Sequence, residues 1–181
     1  MTAPIPIGVK ERALDTRSLG IVAVFDWTDR AEAAVETLQA AGFDPRKLSI
    51  VAKDDHSGER LLGWASSGGR TRFWGRLAPT WDRLAQRLPG AAAMFVPFIG
   101  HLVVLGPLAG WLTEDEPRHG SPEGATRLWR LLARVGVPSQ DGIALESALR
   151  EYDFMLVAAG TREDAWSARR LLRAAARRAA A

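Results

Sequence analysis

The chain has 181 residues, of which 47% are hydrophobic and 25% charged, and its formal net charge is +3. Length and apolar content suit a folded domain with its own core and argue against disorder. There is no cysteine, which excludes disulfides, thiolate metal sites and cysteine nucleophiles. No basic-then-apolar leader opens the N-terminus, so the expected compartment is the cytoplasm, extending to the inner face of its membrane.

Residues 1–18 read as a flexible arm, because Pro4 and Pro6 forbid regular structure and the charges lack a period. A β-branched apolar run at 19–25 has strand length. Asp26 or Thr28 can cap a helix that places Ala31, Ala34, Val35, Leu38 and Ala41 on one face. Gly42 stands where that helix stops, Asp44 and Pro45 make a turn, and 48–52 forms a second strand. Loop composition follows at 54–58 and 66–69. Trp74, Leu77, Trp81, Leu84 and Leu88 then recur at alternating three and four spacing, a helical stripe in which Pro79 requires a kink or a fresh start capped by Thr80.

Beyond an acidic loop ending near Gly124, Leu128, Leu131, Leu132 and Val135 predict a helix closed by Gly136 and Pro138. Ser139 can cap a short helix through Leu149, and 152–159 reads as a third strand. Thr161 with Asp164 resembles a capping box for a last helix lined by Ala165, Ala168, Leu172, Ala175 and Ala179.

Between these halves lies the dominant feature, residues 88–113, which carry no charge at all. Such a stretch must leave water by entering lipid, a partner or the fold's own core. It exceeds the roughly 20 residues of a membrane span, yet Pro97, Gly100, Gly106 and Pro107 would break one continuous helix. A single crossing would also separate strands that need each other to form one sheet. A helical hairpin broken near Pro97 satisfies both constraints. Its arms, about 18 Å long, fall short of a bilayer core of about 30 Å, and Gly106 with Gly110 would let helices approach closely. The resulting expectation is an α/β (α+β) fold: a three-stranded sheet with covering helices, built from 19–53 and 125–181. A helical insertion at 54–124 splits it and carries the apolar hairpin 88–113.

The order of these features, with FWGRL at 73–77, VPFIGH at 96–101 and GPLAG at 106–110, resembles the widespread bacterial family of small general-stress-protein-like proteins over about 19–173. That resemblance implies a ferredoxin-like α/β unit interrupted by a glycine-rich hydrophobic insert, no established catalytic residues, and a non-enzymatic role. Trp111 and Leu112 run directly into an acidic segment where the family's insert continues, which argues against a pore-like role.

Catalytic and metal-binding patterns are missing from the sequence. His56, His101 and His119 stand in no nucleophile–base order. Asp54, Asp55 and His56 could offer metal ligands but form a cluster in a polar loop, which is usually solvated, so no catalytic residue, metal or cofactor is expected. Arginines cluster before the apolar stretch (Arg60, Arg70, Arg72, Arg76, Arg83, Arg87) and in the C-terminal tail (Arg162, Arg169, Arg170, Arg173, Arg177, Arg178). Acidic residues elsewhere nearly balance them, so nucleic acid is not the expected partner. The expected function is assembly: self-association or docking into a larger complex, with a lipid-soluble ligand enclosed between hairpins as one version. The candidate contact residues are Trp74, Trp81, Phe95, Phe98, His101, Leu105, Gly106, Gly110 and Trp111. The alternative is a peripheral or re-entrant membrane protein, with Arg70–Arg87 holding the hairpin against anionic lipid and Arg72, Arg76 and Arg83 as the residues whose replacement should release it.

Overall fold

The computed structural model describes residues 20–25, 28–53, 62–67, 70–97, 99–114, 127–137, 149, 154–158 and 160–179. The N-terminal arm, the 54–58 loop, the acidic loop to Gly124, the short helix capped by Ser139, and Phe98, His56 and His119 lie outside them.

The chain runs β1 (Ile21–Phe25), α1 (Thr28–Ala40), a 3-10 turn (Pro45–Lys47), β2 (Leu48–Lys53), β3 (Leu62–Ser67), β4 (Arg70–Gly75) and α2 (Ala78–Arg87). It continues through β5 (Ala91–Val96), β6 (Gly100–Leu105), α3 (Pro107–Glu114), α4 (Arg127–Arg134), β7 (Phe154–Ala158) and α5 (Arg162–Ala179). The first helix forms and stops where its side chains dictate. Ala31, Ala34, Val35 and Leu38 are buried on one face, and Gly42, at φ +81°, donates to the Gln39 carbonyl while Phe43 donates to Leu38. This pair of bonds is the glycine-dependent helix stop that satisfies the last carbonyls.

Five strands form one sheet in the order β1-β7-β2-β6-β5, with every neighbouring pair antiparallel, while β3 and β4 make a separate two-stranded ribbon. The expected three strands are all present, with β7 between β1 and β2. The ferredoxin-like three-stranded sheet is corrected all the same, because β6 and β5 extend it on the β2 side. The expected helical hairpin is corrected with it: 91–105 is a β-hairpin, and only 107–114 is helical.

Burial on two faces explains the uncharged run. Val103 and Leu105 of β6 join Leu48, Ile50, Ala52, Phe154 and Leu156 in a core covered by α1, α2 and α5. On the opposite face, Leu102 and Val104 join Val51, Met155 and Val157 beneath α3 and α4. A strand buried on both sides has no polar face and so loses the alternation that marks a strand. In β5 the alternation exists, with Ala92, Met94 and Val96 inward, but every residue of that strand is apolar and the sequence hides it.

Two junctions fix the layers. Arg83 grips Glu32 bidentately at 2.5 and 2.9 Å, and Arg87 reaches Glu36 at 2.6 Å and Gln39 at 2.8 Å, tying α2 to α1. At the other, Gly106 adopts φ +92° against β2, where a Cβ would collide with the Leu48 carbonyl oxygen and lie 2.9 Å from the Ser49 Cα. Ser49 Oγ then accepts from the Leu108 amide at 3.1 Å, capping the start of α3 from the neighbouring strand.

Candidate interaction surface

The nine candidate contact residues divide sharply by burial. Trp81 and Leu105 are enclosed within the fold, so they hold it together and cannot meet a partner. Trp81 lies between Phe73 and Phe154, with ring centroids at 5.6 and 5.9 Å. Its Nε1 finds no hydrogen-bond partner among the described residues. The stripe that begins at Trp74 is therefore half right: α2 starts afresh at Ala78 with Pro79 in its first turn, and Trp81, Leu84 and Leu88 are core. Leu77, not Thr80, occupies the capping position.

Gly106 makes the close approach expected of it, but to strand β2 instead of a second helix. Gly110 is exposed, and a Cβ there would meet nothing within 4 Å. Trp111 is half-buried beneath the Arg134 guanidinium, 5.9 Å above its ring. Phe98 falls outside the described residues.

Phe95, His101 and Trp74 remain outward. Phe95 is 62% exposed and Trp74 55%. Phe95 and His101 are directly opposite across β5 and β6, with their rings edge-to-face at 5.2 Å. They share the strand face of Ala91, Val103 and Leu105, at the hairpin end that the described helices leave uncovered.

Beside this aromatic pair runs the edge of the sheet. Among the described residues β5 is hydrogen-bonded to β6 alone, so alternate amides and carbonyls of Ala91–Val96 point away from the sheet. Folded proteins normally blunt such edges with charge, proline or a bulge. The segment AAAMFV contains no charge and no proline, and its pairing with β6 runs from Ala91↔Leu105 to Val96↔Gly100 without a slip. The opposite edge differs: β1 carries a register irregularity between Ile21 and Ala23.

Trp166, absent from the candidates, is 58% exposed on α5, with the Arg170 guanidinium 5.0 Å above its ring. Its signal in the sequence is positional, since it falls off the Ala165–Ala168–Leu172 face that the final helix buries. Among the described residues, no group of three or more His, Asp or Glu converges as metal ligands would, and no helix is long and apolar enough to cross a membrane.

Comparison with known proteins places part of this architecture. Residues 20–79 match the family model of the heat induced stress protein YflT domain. The matched span covers β1, α1, β2 and the β3–β4 ribbon, and stops as α2 begins. The resemblance to bacterial general-stress-protein-like proteins holds across that span. It includes all of FWGRL but excludes β5, β6 and α3. No curated protein and no solved structure matches the chain.

Proposed function

We propose, from a chain that matches the heat induced stress protein YflT domain at residues 20–79, that it works without catalysis, as an assembly protein whose self-association runs through the edge of β5 left unpaired among the described residues. The supporting observation is the edge itself: six uncharged residues in unbroken register, with Phe95 62% exposed beside them. Two copies related by a two-fold axis can pair β5 with β5 antiparallel, which satisfies the outward backbone groups on both and joins two five-stranded sheets into one. The exposed aromatic residue adds apolar area at the seam, and directional pairing comes from the backbone.

This reading keeps the assembly role expected of the apolar hairpin and relocates its contact. The hairpin's apolar mass, Leu102 to Leu105, is the domain's own core, and only the outer strand is offered to a partner. Light-scattering mass of the intact chain tests it. The expected particle is twice the 19.7 kDa chain, and Ala93→Lys with Phe95→Lys, a half-buried and an exposed position alternating with the buried Ala92, Met94 and Val96, should give a folded monomer by placing charge at the edge. A wild-type monomer, or a double variant that stays dimeric, contradicts the reading.

A further inference from the structure

The final helix presents a second surface, unrelated to the β5 edge. Ala165, Ala168 and Leu172 of α5 are buried in the core, and the helix packs on β1, β7 and α1. With about 3.6 residues per turn, Arg162, Trp166, Arg170, Arg173 and Arg177 fall within an arc of about 80° on the opposite side and extend along about 22 Å. All five are exposed. Beneath them Arg169 is partly buried, and desolvation together with the neighbouring Arg173 lowers its pKa. Positive charge is crowded along this ridge, with Arg162, Arg170, Arg173 and Arg177 all exposed on it.

We propose that this ridge docks the protein on an anionic lipid surface. A straight stripe on a convex helix touches a plane along its whole length, and each basic residue near an anionic leaflet adds to the attraction. Trp166 stands at one end with its ring exposed and Arg170 stacked on it, an arrangement suited to the headgroup layer, where tryptophan rings and long cationic side chains collect. The apolar face of α5 stays in the core, so the helix lies on the surface without inserting.

A nucleic acid fits less well. The groove alongside, about 370 Å³, is walled by Asp44, Glu163 and Asp164 as well as by Trp166 and Arg170. A phosphate strand seated in that groove would meet those carboxylates, whereas a plane rests on the convex ridge and meets Glu163 only at its edge. A single exposed aromatic also offers one stacking platform where single-strand binders use several. Two of the cations first expected to face lipid are committed elsewhere: Arg83 is held by Glu32 and Arg87 by Glu36.

The test is flotation of the intact chain with vesicles of phosphatidylglycerol and phosphatidylcholine, against vesicles of phosphatidylcholine alone. Binding is expected only to the anionic vesicles and to weaken as salt rises. Arg162→Gln, Arg170→Gln and Arg177→Gln together remove three exposed charges and should lower the partition coefficient about a hundredfold, with the helical circular dichroism unchanged. Trp166→Ala alone should weaken binding at constant charge. Equal binding to both vesicle types, an unaffected triple variant, or binding to an RNA oligonucleotide with none to vesicles would overturn the proposal. The ridge and the β5 edge lie at opposite ends of the sheet. A monomeric Ala93→Lys/Phe95→Lys chain that still floats would therefore separate this proposal from the assembly reading.

Discussion

Asp164 shows how much one side chain can carry. It closes a reciprocal cap at the start of α5, accepting from the Thr161 amide at 2.9 Å while its own amide donates to Thr161 Oγ1 at 3.2 Å. It also accepts from Lys47 at 2.8 Å, tying the helix start to the turn before β2. The Lys47 ammonium first, and then the Thr161 amide, hold its carboxyl below the usual carboxylate range. A carboxylate whose pKa is depressed in the folded chain stabilises it above the unfolded value, and that contribution is lost as pH falls through the folded value. Asp164→Asn should therefore lower the thermal midpoint at neutral pH and flatten its decline below about pH 4, as thermal melts across that range would record. Equal acid sensitivity in the two proteins would assign the decline to other carboxylates. The Thr161 and Asp164 spacing was legible in the sequence because a cap is a local device, fixed within four positions. The Lys47 contact was not, because it joins residues 117 positions apart.

At the scale of elements, local signals succeed and long-range ones fail for a common reason. β1, α1, β2, α4 and β7 stand where their patterns put them, since each has either one buried face or a compact β-branched run. β5 misleads because AAAMFV favours a helix by composition, alanine having the best helix propensity. What makes it a strand is the neighbouring β6, whose backbone it satisfies. The glycine at 106 was legible as a point of close approach, but its partner, the Leu48–Ser49 backbone, lies more than fifty positions earlier. Gly106→Ala should cost on the order of 3 kcal/mol, from a positive φ together with a backbone collision. Gly110→Ala, with open space around its Cα, should cost little. Urea unfolding of both variants checks the pair, and equal losses would contradict the packing described for the β6–α3 junction.

At the scale of the molecule, the described residues present an unpaired edge strand at one end of the sheet and a cationic helix face at the other. The apolar stretch that dominates the sequence is mostly interior, which is why the contact residues expected within it divide between core and surface. Phe95 and His101 share a sheet face with the buried Leu105 but stand at the hairpin end that the described helices leave uncovered, a distinction that depends on packing between distant elements and cannot be read from hydropathy. The stress-protein match supplies the first part of the sheet, and the proposed assembly uses the hairpin that follows it.

The most direct measurement of the central claim is amide hydrogen exchange along β5 as protein concentration is raised. Pairing of β5 with a second copy predicts that the outward amides of Ala91–Val96 gain protection with concentration while those of β1, at the bulged opposite edge, do not. Protection in β5 that is independent of concentration would contradict self-association through this edge.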